Sequence, residues 1–108
     1  MAGPTMRTVT VLITDIEGRT RRWETESGVM AGAMAQHDAV IRGAIEAHAG
    51  EVFKTVGDGF YAVFATPNDA LAAGADAQRA LSSGGTGPGG VRIGVHTGVA
   101  EIRGGDYF

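Results

Sequence analysis

Two short strand-like runs joined by Gly57-Asp58-Gly59, with a helix-period segment on either side, constrain this chain more than any other feature. The runs are residues 51–56 (EVFKTV) and 60–64 (FYAVF), and an Asp-Gly pair between such β-branched and aromatic stretches is a strong hairpin signal. Upstream, Val29, Met30, Ala33, Met34, His37, Val40, Ile41, Ala44, Ile45 and His48 follow the i, i+3, i+4, i+7 spacing of an amphipathic helix, and Gly50 stands where a stop is expected. Downstream, residues 67–81 read as an alanine-rich helix, with Pro67 near its start and Leu71, Ala75 and Gln78 at helical spacing. Residues 8–14 (TVTVLIT) suit a first strand buried on both faces. Residues 91–96 (VRIGVH) suit a last one, onto which 99–102 would fold back through Thr97-Gly98.

The order is β-α-β-β-α-β, an α+β sandwich of ferredoxin-like pattern. Right-handed crossovers give the strand order 4-1-3-2, so strands 1 and 2 run parallel and the end of strand 1 lies beside the turn joining strands 2 and 3. Asp15 closes strand 1 and Asp58 sits in that turn, so residues far apart in sequence meet at one sheet edge. Lys54, late in strand 2, and Arg92, early in strand 4, belong near it. Two carboxylates so placed can share two hard cations, which prefer oxygen ligands and keep company with phosphates. The segment that follows Asp15, Ile16 to Thr20 with Gly18 and Arg19 within it, leads towards a helix, and its N–H groups suit phosphate. Taken singly each residue has an ordinary reading: Asp58 as a turn residue, Asp15 as a helix cap, Lys54 as a snorkelling side chain, Arg92 as a surface charge. His37 and His48 lie on the helical apolar stripe and read as packing or interface residues. The joint pattern favours a site.

Composition narrows the partners. Nine Lys and Arg against twelve Asp and Glu give a net charge of −3, which argues against nucleic-acid binding. With no cysteine, disulfides, zinc knuckles and thiol nucleophiles are excluded. No apolar run approaches the roughly 20 residues that span a bilayer, and the start lacks a signal-peptide pattern, so a cytoplasmic location without membrane contact is expected. The 108 residues are read as one domain, with 82–90 (SSGGTGPGG) as a flexible loop.

At the residues singled out above, the sequence resembles the class III adenylyl/guanylyl cyclase catalytic domain, in its actinobacterial adenylyl cyclase form. The matching blocks are TDIEGRTRRWE at 14–24, FKTVGDGFYAVF at 53–64, VRIGVHTGVAEIR at 91–103 and GDYF at 105–108. The resemblance implies that Asp15 and Asp58, with the Ile16 carbonyl, hold two Mg2+ or Mn2+ ions. It implies that Lys54 and Asp106 select adenine, that Arg92 contacts the triphosphate, and that ATP becomes 3′,5′-cyclic AMP and pyrophosphate at a head-to-tail homodimer interface. Donor and acceptor chemistry agrees, since an ammonium and a carboxylate complement adenine's ring nitrogen and amino group. Arg19 departs from a usual serine, Arg22 from a leucine and Ile13 from a phenylalanine. The family continues beyond Asp-Tyr-Phe with an Asn and an Arg that stabilise the transition state, so about the last third of the domain is expected to lie past Phe108. Binding is then encoded here while turnover needs those residues. The alternative is a non-catalytic nucleotide-binding or dimerisation module derived from a cyclase. Polymerase palms and diguanylate cyclases place carboxylates on the same edge, but the diguanylate signature is absent.

Overall fold

The computed structural model describes residues 5–16, 27–57, 59–84 and 91–108. The elements follow one another as β1 (Thr5–Ile16), α1 (Ser27–Ala47), β2 (Glu51–Val56), β3 (Gly59–Phe64), α2 (Pro67–Gly84), β4 (Val91–Arg103) and β5 (Asp106–Tyr107). The sheet runs β2-β3-β1-β4-β5, which is the expected 4-1-3-2 order with one short strand added at its edge. All described strand pairs are antiparallel, so β1 and β2, both antiparallel to β3, run the same way.

The two helices cover one face of the sheet. Leu12 of β1, Phe60, Ala62 and Phe64 of β3, Ile41 and Ile45 of α1, and Ala70, Ala73 and Ala77 of α2 form a single core. Its alanines let α2 lie close to the sheet. The stripe expected from the sequence, Leu71, Ala75 and Gln78, is instead the exposed face of α2, and Leu71 is 58% exposed. In a helix this rich in alanine, hydropathy does not separate the two faces, and side-chain volume decides which one can approach. His37 is buried at 1% exposure on the core face of α1.

Three boundaries differ from expectation. β1 extends to Thr5 and Ile16 because β4 partners it throughout, from Thr5 opposite Ile102 to Ile16 opposite Val91. The return expected at Thr97-Gly98 does not occur. Thr97 lies opposite Thr10, with their hydroxyls 2.8 Å apart, and the chain reverses at Gly104-Gly105, whose φ angles of 55° and 81° suit glycine. Residues 82–84, expected in the loop, complete the last turn of α2. Gly50 also has a different reason for being glycine. Ala49 takes the left-handed φ of 63° after α1, while a Cβ on Gly50 would stand 2.4 Å from the Phe64 ring and 2.8 Å from Ile45.

A side-chain hydrogen bond joins the helices behind the sheet. His48, just past α1, has Nε2 2.6 Å from Oδ2 of Asp76 on α2, and Arg79 pairs with the same carboxylate. The His48 hydrogen bond, reinforced by Arg79, holds the Asp76 carboxyl below its ordinary value of 3.8. A carboxyl depressed in the fold adds stability above its unfolded pKa and loses it as pH falls through the folded one. Stability is therefore expected to decline below about pH 4. In urea titrations at about pH 5 and about pH 3, Asp76→Asn should lose less on acidification than the parent; an equal loss would show that the pair contributes nothing.

Candidate functional site

On the helix-free face the structure brings the expected site residues together as two pairs, Asp15 with Arg92 and Lys54 with Asp106. Along β1, Thr10, Leu12 and Thr14 point into the helix-side core while Val9, Val11 and Ile13 line the other face, as the period of two requires. Alternation returns Asp15 to the face of Ile13. Arg92 is its direct cross-strand neighbour on β4, and the guanidinium pairs with the Asp15 carboxylate. Both side chains are at least half exposed.

The β2–β3 turn is pressed against this end of β1. Phe60 donates its N–H to Thr14 Oγ1 at 3.0 Å, and Gly59 lies so close to the Thr14 carbonyl that a Cβ would stand 2.7 Å from the oxygen. Gly57 turns with a φ of 60°. Asp58, between these glycines, lies outside the described residues, as do Gly18, Arg19 and Thr20. Ile16 ends β1 opposite Val91. Among the described residues no group of three His, Cys, Asp or Glu side chains converges as a metal cluster. Asp15 offers a hard oxygen donor of the kind Mg2+ and Mn2+ prefer, and it already holds one positive group, the Arg92 guanidinium. The donor chemistry fits a divalent ion.

The second half of the site comes from opposite edges of the sheet. Four strand spacings of about 4.8 Å would put β2 and β5 about 19 Å apart in a flat sheet. Yet Lys54 Nζ on β2 stands 3.0 Å from Asp106 Oδ2 beside β5, and the rings of Phe53 and Tyr107 lie 4.8 Å apart between centroids. The sheet therefore coils, bringing the β4–β5 hairpin across the open face. It borders a concavity of about 420 Å³ lined by Val9, Val11, Ile13, Phe53, Tyr61 and Tyr107, among others, with Lys54 and His96 also in its wall.

A β-bulge sets the position of Lys54. Val52 pairs with Ala62 and Lys54 with Tyr61, leaving Phe53 as the extra residue. The bulge breaks alternation, so Phe53 and Lys54 both reach the concavity. Phe53 meets Tyr61 edge-on at 6.3 Å, and the Lys54 ammonium lies 5.8 Å from the Tyr61 ring centre. The Lys54 hydrogen bond, with a second from the Tyr107 N–H, lowers the Asp106 carboxyl below its ordinary value. Lysine and carboxylate are thus an ion pair bordered by aromatic rings. Sequence reasoning missed the rings of Phe53, Tyr61 and Tyr107; the aromatic content of FKTVGDGFY and GDYF was their only signal.

The described residues thus combine an α+β sandwich, an acidic strand end and a Lys–Asp pair facing an aromatic concavity. The chain belongs to the adenylate and guanylate cyclase catalytic-domain family, whose model matches residues 1–104. An uncharacterized Mycobacterium tuberculosis protein, Rv0891c, is 37% identical over 102 residues, covering 93% of this chain and 34% of that protein. A crystal structure of an adenylate/guanylate cyclase/hydrolase from Silicibacter pomeroyi superposes with a TM-score of 0.81 at 28% identity, covering 98% of this chain and 65% of its own. An adenylate cyclase from Trypanosoma brucei, studied in its monomeric state, gives 0.83 at 25% identity, covering 94% and 63%. The chain spans about a third of the length of the curated relatives it matches over most of its residues. No helix among the described residues is long and apolar enough to cross a membrane.

Proposed function

We propose that this chain carries the metal-binding and adenine-selecting part of a class III adenylyl cyclase, acting on ATP in the cytoplasm. The observation that carries the reading is the Lys54–Asp106 pair, drawn from opposite sheet edges to 3.0 Å beside Phe53, Tyr61 and Tyr107. An ammonium donating to the adenine ring nitrogen and a carboxylate accepting from its amino group suit adenine; guanine offers the reverse pattern. The aromatic edges and faces suit a planar base.

Asp15 and Asp58, with the Ile16 carbonyl, would hold two Mg2+ or Mn2+ ions. Such ions lower the pKa of a bound hydroxyl and offset charge on phosphates. The chain's own residues do the positioning. Lys54 and Asp106 fix the base, Arg92 contacts the triphosphate, and the segment holding Gly18, Arg19 and Thr20 would supply N–H groups to the phosphates. In this reading the ribose 3′-oxygen attacks the α-phosphorus, closing the cyclic phosphodiester and expelling pyrophosphate. Asp15 and Asp58 come from one subunit of a head-to-tail homodimer, Lys54 and Asp106 from the other.

The alternative reading is a module that binds nucleotide or dimerises without turnover. Incubation with Mn2+ and ATP, with cyclic AMP measured chromatographically and ATP binding measured by calorimetry, separates the two. Metal-dependent cyclic AMP is the outcome expected of an active domain. Binding without product identifies the non-catalytic module, and absence of both overturns the nucleotide assignment.

A further inference from the structure

The Arg92–Asp15 pair has a role that phosphate binding alone does not require. The two residues are opposed in register on β1 and β4, one residue from the end of the described β1–β4 ladder, so the backbone hydrogen bonds of two strands hold the pair together. Arg92 alternates on β4 with Ile93, which packs against the helix-side core, and this fixes the face on which the guanidinium emerges. A planar guanidinium satisfies a carboxylate through directed N–H donors and cannot give up its charge. It therefore occupies the electrostatic position that a divalent cation would take on Asp15.

We propose that Arg92 is a resident counter-ion that competes with the divalent metal for Asp15, so that metal binding requires the guanidinium to swing away. The inference rests on the reading of Asp15 as a metal ligand. The displaced arm is the same one that reading directs to the triphosphate, so the two events support each other. A cation reaching Asp15 frees Arg92, and a phosphate chain that engages Arg92 clears Asp15 for the cation. By linkage each ligand then raises the affinity for the other. Before nucleotide arrives, the Arg92 charge holds down cation affinity. Both side chains are at least half exposed, so the pair is a modest interaction that a divalent ion can displace.

The test uses Mn2+ alone as the probe, followed by electron paramagnetic resonance of the free ion, on the parent chain and three variants. Arg92→Ala and Arg92→Gln, both neutral, are expected to bind Mn2+ about threefold to tenfold more tightly than the parent, because a positive charge beside the ligand is gone. Asp15→Asn is expected to lose the site. If Asp15→Asn binds as the parent does, the metal-ligand reading falls and the competition with it. If Asp15→Asn loses Mn2+ while both Arg92 variants bind no more tightly than the parent, the competition alone is overturned. The glutamine variant keeps a long polar arm on the strand, so an effect common to both replacements reports the charge and not local unfolding.

Discussion

Lys54→Glu is expected to weaken ATP binding by about tenfold or more and to remove any preference for ATP over GTP. The magnitude is that expected for losing one charge-assisted hydrogen bond to the base, roughly tenfold or more in affinity. The substitution does two things at once. It removes the ammonium that lowers the Asp106 carboxyl, and it sets a second carboxylate beside the first, where only 3.0 Å separated opposite charges. The loss also reaches the fold locally, since the pair ties β2 to the end of the β4–β5 hairpin. Lys54→Met separates these effects. It keeps an apolar arm near Tyr61 and loses the charge without adding a repulsive one, so its ATP affinity should fall between parent and Lys54→Glu. Calorimetric dissociation constants for ATP and GTP in the presence of Mn2+ decide the matter. Equal affinity of the parent for the two nucleotides, or undiminished ATP affinity in Lys54→Glu, would remove base selection from this lysine.

What the sequence made legible was the part governed by local rules. Periodicity, the Asp-Gly turn and crossover handedness together gave four strands, two helices and their order, and this sufficed to put Asp15 at the strand end against which the β2–β3 turn packs. Three features were not legible, each for a physical reason. The bulge at Phe53 depends on a register between β2 and β3 that alternation cannot encode, because a single extra residue transfers Lys54 to the other face. The approach of β2 to β5 depends on coiling summed over five strands, a property of the whole sheet and of no single residue. The buried face of α2 depends on packing volume, because Ala70, Ala73 and Ala77 have the same hydropathy as the exposed Ala75 and less than the exposed Leu71. Glycine was half legible. Gly50 was read as a helix stop, yet its requirement is the Phe64 ring lying where a side chain would be.

The nearness of Phe53 to Tyr107 and of Lys54 to Asp106 also explains why the helix-free face does not lie flat and open. The hairpin formed by β4 and β5 doubles back at Gly104-Gly105 and is held by paired hydrogen bonds between Glu101 and Phe108, each 2.9 Å. Arg103 lies 4.3 Å from the Phe108 ring centre. These contacts fix the end of the chain that carries Asp106. The position of the Asp106 carboxylate is thus set by backbone pairing two residues away, not by the lysine alone.

Gly59→Ala is expected to be among the most damaging single substitutions in the chain, although it alters no charged residue. A Cβ at position 59 would stand 2.7 Å from the Thr14 carbonyl oxygen and 3.3 Å from that of Val56. Both obstacles are backbone atoms of strands in the sheet, so no flexible side chain can yield, and the turn itself must lift away from β1. Overpacking of this kind costs about 1–3 kcal/mol, and here the Phe60 N–H bond to the buried Thr14 hydroxyl is strained as well. The midpoint of urea unfolding should fall accordingly, with an unchanged slope. The functional consequence follows from the same displacement. Asp58 is the residue immediately before Gly59, and Asp15 immediately follows the Thr14 carbonyl that the new methyl group would strike. Lifting the turn therefore changes the separation of the two carboxylates, and Mn2+ affinity should drop under conditions where circular dichroism shows the variant still folded. Arg92 reaches Asp15 from β4, on the side of β1 away from β3 and the turn, and the β1–β4 ladder holds the two in register, so their pairing should survive. A Gly59→Ala protein that is less stable yet binds Mn2+ like the parent would show that Asp58 takes no part in holding the metal.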